Sequence, residues 1–258
     1  MTAGRGVSSI DRILLAIDAS VQGEEVLETA FETAALLEAR LLALFVEDVN
    51  LVRLAGLPFA KELDRASGTV RGLDANGMKH ALQADAQRFQ KRLTEASERR
   101  KVSVSMKVVR GRCTSAAMEM AGKGDVVILS NLPRASSLAA GTAAPGRMAR
   151  RTLMTWPVWA VYDGSPEAER GLALGAGLAQ RFHSELVVFV AQGQEQLADD
   201  KLAELARENP GTRYRLQALE NITLQRSPGQ ACAVLVAPRD MADQGLIPDS
   251  LKCLRLLV

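Results

Sequence analysis

Four short stretches carry side chains able to hold a ligand: Asp18-Ala19-Ser20, Arg110-Gly111-Arg112, Ser130 to Thr142, and Asp163-Gly164-Ser165. Each Asp-x-Ser follows an apolar run. Its carboxylate and hydroxyl have two ordinary uses there, capping the next helix or contacting a ligand. Capping is the first reading for Ser20, Ser165 and Asp163; for Asp18 both readings stand. Arg110-Gly111-Arg112 is a basic turn that could meet an anion or simply be solvated, with Gly111 at positive φ. In VVILSNLPRASSLAAGT, Val126 to Thr142, the polar candidates are Ser130, Asn131, Arg134, Gly141 and Thr142. A phosphate cradle needs glycines and bare N–H groups. This run has Leu132 and Pro133, and no glycine before Gly141.

What the sequence omits narrows the chemistry further. Its two histidines, His80 and His183, are far apart, and its three cysteines, Cys113, Cys232 and Cys253, lack CxxC spacing. A histidine-rich metal centre, a zinc site and a disulfide frame are excluded, and the cysteines read as free thiols. Neither a GxSxG elbow nor a Walker lysine is present, and Asp64, Asp74 and Asp85 are too scattered for a hydrolytic pair. No catalytic residue and no metal ligand is therefore named, and enzymatic activity has no positive support. With 32 basic and 30 acidic residues, a net +2, the chain lacks the charge of a nucleic-acid or membrane binder. MTAGRGVSSIDR has no apolar signal core, and no apolar run nears the ~20 residues of a membrane span. The expectation is a soluble cytoplasmic protein with neither nucleic acid nor membrane as partner. Its 258 residues suit one large domain or two modest ones.

The elements that position these residues alternate in period. Arg12 to Ile17 (RILLAI), Leu41 to Val46 (LLALFV) and Asp125 to Leu129 read as strands buried on both faces. Val102 to Val108 alternates polar and apolar, as a strand nearer an edge does. Between them, Leu27, Ala30, Phe31, Ala34 and Leu37, then Leu82, Ala86, Phe89, Leu93 and Ala96, recur at helical spacing. Thr114 to Ala121 suits a short helix capped by Thr114. The order β-α-β-α-β-α-β argues for a parallel sheet with helices on both sides. The irregular stretch Val49 to Asn76, with Leu54, Leu57 and Phe59, reads as a lid over the sheet's crevice.

The pattern then restarts. RILLAIDAS is echoed by VWAVYDGS at Val158, LLALFVED by ELVVFVAQ at Glu185, and VVILS by AVLVA at Ala233. Ser165 and Pro166 open a helix between the first two echoes. The offsets shrink along the chain, so the second copy is shorter in its middle.

At this point the sequence resembles a tandem universal stress protein over nearly its whole length. ILLAIDAS, the strand ending FVED, KGDVVILS and the terminal LKCLRLLV carry the resemblance, and LVRLAGLPFAKEL is similar to an insertion of some bacterial members. The resemblance implies α/β, Rossmann-like units with open parallel sheets, unit one spanning 1–156 and a shortened unit two spanning 157–258. It implies two halves packed as an intramolecular pseudo-dimer, with a homodimer also open. ATP-binding members carry glycine, two residues, glycine, nine residues, then glycine with Ser or Thr. Here Leu129 and Leu132 stand at the first two glycine positions, eight residues separate Leu132 from Gly141, and only Gly141-Thr142 answers the final pair. The resemblance places Asp18 toward ribose and adenine and the Val46 backbone at an adenine edge.

The reading is a non-catalytic stress-response or regulatory protein without ATP bound through the usual glycine loop, and with no cofactor. The alternative is an adenine-nucleotide-binding regulatory module with an atypical phosphate loop. Its ligand contacts would come from Asp18, Ser20, Val46, Gly111, Ser130, Asn131, Arg134, Gly141 and Thr142. Whether Pro157 to Tyr162 ends the first sheet, starts the second or does both stays open at this level.

Overall fold

The computed structural model describes residues 10, 12–18, 24–57, 59–63, 68–72, 75–122, 124–130, 157–222, 234–244 and 253–258. Short apolar runs become its strands because both faces of the sheet are covered. In the first half, β1 (Arg12–Asp18), β2 (Arg40–Asp48), β5 (Val104–Gly111) and β6 (Val126–Ser130) alternate with α1 (Glu24–Leu36), α3 (Ala75–Arg100) and α4 (Cys113–Met120). In the second, β7 (Val158–Tyr162), β8 (Glu185–Val190), β9 (Arg213–Ala218) and β10 (Val234–Ala237) alternate with α5 (Pro166–Arg181) and α6 (Glu195–Glu208). A short α7 (Arg239–Asp243) and β11 (Leu254–Leu257) follow. The fold is α/β, as the sequence indicates.

All these strands form one sheet in the order β5-β2-β1-β6-β11-β10-β7-β8-β9. Outward from the centre, one flank runs β6-β1-β2-β5 and the other β10-β7-β8-β9, so both follow the same sequence of fourth, first, second and third strands. Where two separate sheets were expected, β11 joins the flanks. It lies parallel to β10, with Leu256 opposite Val236, and antiparallel to β6, with Leu256 opposite Ile128. One terminal strand therefore completes both flanks. The role of Pro157 to Tyr162 is also resolved: β7 pairs only with β8 and β10, and starts the second flank.

The two faces differ in cover. On one, α1, α3, α5 and α6 bury a continuous cluster that includes Phe31, Phe45, Phe89, Leu172 and Tyr162. On the other, α4 and Met241 of α7 pack over Leu14, Leu44, Leu129, Trp159 and Phe189, with the Trp159 and Phe189 rings edge to face at 4.9 Å. At the centre of the first face the equivalent helices α1 and α5 meet. A Cβ on Gly177 would come within 2.9 Å of the Leu36 side-chain tip, so any larger residue there would require Leu36 to move aside. Glu32 of α1 binds both Arg100 of α3 and Arg181 of α5.

Two expectations are corrected here. Thr114 does not cap α4: the helix starts at Cys113, its N-cap is Arg112, and no side chain caps it. The stretch after β2 is not an apolar lid. It forms α2 (Val49–Ala55) and a two-stranded hairpin, β3 (Lys61–Leu63) with β4 (Val70–Gly72). Leu54, Leu57 and Phe59 are 49%, 40% and 75% exposed, so they cover nothing. Asp48 accepts a hydrogen bond from the Asn50 N–H at 2.8 Å, which starts α2 directly at the end of β2.

Candidate functional site

In an open parallel sheet, a crevice forms at the carboxyl ends of the strands where the order reverses. This sheet has two such points, between β1 and β6 and between β7 and β10.

At the first point, β1 ends in Asp18, which lies opposite Val46 of β2. Strand alternation turns Asp18 toward the face that also buries Ala16, Val46 and Ala117. Gly111 ends β5 opposite Asp48, at φ 155°, and α4 starts two residues later. The positive φ expected of Gly111 is present, but as nearly extended strand. Arg110 is held by Glu47 at 2.9 Å, so this basic residue ties two strand ends together. Cys113 opens α4 within the electrostatic reach of Asp18. Burial first, and the Asp18 charge second, push its thiol up to about 12. It stays a neutral thiol at any physiological pH. The Arg112 side chain gives no cap to α4, whose first turn begins beside this cluster.

The structure therefore brings Asp18, Val46 and Gly111 together with Cys113 on the α4 face. It does not bring Ser130 with them. Alternation along β6 turns Ser130 to the opposite face, where its hydroxyl is buried with no hydrogen-bond partner. Leu129, read as standing at a glycine position, is a core residue on the α4 face, opposite Ala16. Ser20, Asn131, Arg134, Gly141 and Thr142 lie outside the described residues, as does Leu132. Cys113 was missed as a site residue. Its signal was available: it sits just past a strand-ending glycine, where a helix must begin.

At the second point the described polar groups bond to the protein's own main chain. Ser165 accepts the Ala168 N–H at 3.1 Å and caps α5 as expected, while Asp163, expected as a cap, instead accepts the Ser165 N–H at 2.9 Å and forms the turn leading into the helix. Gly164, at φ 83°, lies against Gln194, whose amide would clash with any Cβ there. Arg239, just beyond β10, donates to the Gly122 carbonyl at 2.9 Å and to the Asp125 carbonyl. Tyr162 is fully buried and its hydroxyl has no partner; burial first, and then Glu169, raise its pKa.

Among the described residues no group of three metal-ligating side chains comes together, and no helix is long and apolar enough to cross a membrane. His80 and His183 are at an exposed helix position and in a turn, as expected of solvated residues.

Among the described residues the sheet has two strand-order reversals, with the start of α4 beside one and the Asp163–Ser165 turn at the other. No protein-family model and no curated protein matches the chain by sequence. Two solved structures are similar to it over most of its length, and both are of the family that the sequence resembles. One is a universal stress protein from Archaeoglobus fulgidus DSM 4304, 10% identical, with 96% of this chain and 98% of that one covered at a TM-score of 0.44. The other is a putative universal stress protein from Pseudomonas aeruginosa UCBPP-PA14, 14% identical, with 97% and 93% covered at a TM-score of 0.41. At these values the likeness is one of general architecture, and it carries nothing about ligand or activity.

Proposed function

We propose that the protein is a non-catalytic regulatory protein of universal-stress type, built from two tandem units, that does not take ATP through a glycine loop. The observation that supports this most is Cys113. Its thiol opens α4 within electrostatic reach of Asp18, and burial pushes its pKa up to about 12, which disfavours the thiolate nucleophile at neutral pH. A binding surface without an activated nucleophile suits a regulator better than a group-transfer enzyme. The identical strand order of the two flanks supports the tandem reading, with unit one ending before β7.

Thermal unfolding with ATP, ADP and AMP at millimolar concentration tests it. A ligand at 100-fold its dissociation constant stabilises by ~2.7 kcal/mol, a shift of several degrees. No shift is expected with ATP, and a clear one would overturn the reading.

A second reading is an adenine-nucleotide-binding module. It is favoured by Asp18, Val46 and the start of α4 standing at one strand end, since the dipole at a helix N-terminus attracts anionic groups. A shift with ATP that is lost in Asp18→Asn is the outcome it requires.

A further inference from the structure

The helices α3 and α6 occupy equivalent places, each joining the second and third strands of its flank, and each lies by an outer strand of the sheet. Their charges are opposite. Residues 75–100 hold six basic and three acidic side chains, net +3, whereas residues 195–208 hold two basic and five acidic, net −3. Of these basic residues Arg100 is bound to Glu32 of α1; the outer strand β5 adds exposed Lys107, while its Arg110 is bound to Glu47. On α6, Glu195, Asp199, Asp200, Glu204 and Glu208 are all exposed, and of the two basic residues Lys201 is bound to Glu169 at 3.2 Å. Each edge also carries an exposed large apolar side chain, Val108 on β5 and Leu197 on α6, at 51% and 42% exposure. Helix solvent faces usually mix both signs. Equivalent helices with opposite excess, at opposite ends of one sheet, make each edge the electrostatic complement of the other.

We infer that the α3–β5 edge of one copy docks on the α6 edge of a second copy, head to tail. Such a contact joins two different surfaces, so it propagates into a chain or a ring instead of stopping at a two-fold dimer. The near-zero net charge of +2 leaves little overall repulsion to oppose it. Exposed ion pairs contribute little each, so association is weak and depends on salt. Its function is to make assembly respond to ionic strength and concentration.

The test uses the full chain. Sedimentation velocity in about 0.02 M salt is expected to show mass rising with concentration, and about 0.5 M salt to restore the monomer. Equal amounts of isotope-labelled and unlabelled chain, treated with a zero-length carbodiimide, are expected to give interchain links from Lys79, Lys91 or Lys107 to Asp199, Asp200 or Glu208. The triple reversal Lys79→Glu, Lys91→Glu, Lys107→Glu is expected to abolish self-association, as is the separate triple reversal Asp199→Lys, Asp200→Lys, Glu208→Lys. These positions are exposed, and circular dichroism checks that the variants fold. A mixture of the two is expected to associate again with interchain links between the same two helices. A monomer at every salt concentration, or interchain links confined to other surfaces, would overturn the inference. So would monomers whose basic edge binds heparin, because the partner would then be a polyanion.

Discussion

The ends of β1 and β7 carry the same Asp-x-Ser signature and hold equivalent places in their flanks, yet the structure treats them differently. At β7, Asp163 and Ser165 close the turn into α5, Gln194 lies over Gly164, and Arg239 crosses to main-chain carbonyls of the first half. At β1, Asp18 lies within electrostatic reach of the half-buried Cys113 thiol, which opens α4. The same strand end thus leads into a self-bonded turn and helix cap in one flank and stands beside the start of α4 in the other. A motif at a strand end reports where polar groups are, and only the neighbouring elements decide whether those groups are taken up by the fold.

The largest effect should come from the strand common to both flanks. Leu256→Asp puts an unpaired charge at a fully buried position between β6 and β10, a change expected to remove more than about 4 kcal/mol. Urea denaturation followed by both near- and far-ultraviolet circular dichroism should show the two halves failing together. A second half that keeps its own transition would show that the flanks are independent.

Leu129→Ala comes next. Because Leu129 packs in the core under α4, truncation should cost about 2–5 kcal/mol in the same measurement, with no gain of ATP binding. A change below about 1 kcal/mol would return Leu129 to the crevice.

Asp125 sharpens the comparison from the other end of the sheet. Its carboxylate accepts from Arg12 at 3.1 Å and from the Gly122 N–H at 2.7 Å, beside the Arg239 contacts. Burial alone would raise its pKa, but the Arg12 hydrogen bond, the Gly122 N–H and the charges of Arg12 and Arg239 outweigh it and hold it below its ordinary value. A depressed carboxyl stabilises the fold above its unfolded pKa of about 3.9 and loses that contribution as pH falls through the folded value. Asp125→Asn should therefore cost on the order of 2 kcal/mol near neutrality, and its gap from wild type should shrink below about pH 4. A gap unchanged down to pH 2.5 would remove the linkage.

The smallest effect contrasts the two helix starts. Ser165→Ala should cost about 1 kcal/mol by removing the cap of α5. Arg112→Ser at the uncapped start of α4 should instead stabilise by up to about 1 kcal/mol, measured by thermal unfolding.

Much of the sheet was legible because strands buried on both faces must be apolar throughout, as in RILLAI and ELVVFV, and each such run became a strand. The α5 start was legible for a different reason, since Ser165-Pro166 is a local signal. What pairs with what was not legible. β7 and β11 find their partners across long spans of chain, and nothing in VWAVY or LRLL says which neighbours they take. The hairpin of β3 and β4 has three-residue strands, too short to show a period. At the site, Asp18 and Val46 could be placed because both sit on strands. Ser130 ends β6 on the face opposite Asp18, a placement that follows from alternation only once the pairing of β6 with β1 is known.

The central position of β11 has a kinetic consequence. Val127 of β6 waits for Leu257, 130 residues further along. At ~5–20 residues per second, ribosomal synthesis leaves that gap open for roughly 6 to 26 seconds. During that time VVIL is an unpaired apolar edge, a template for any other nascent strand. Folding of this chain is therefore vectorially frustrated, and its yield should depend on whatever shields β6 until the missing strand emerges.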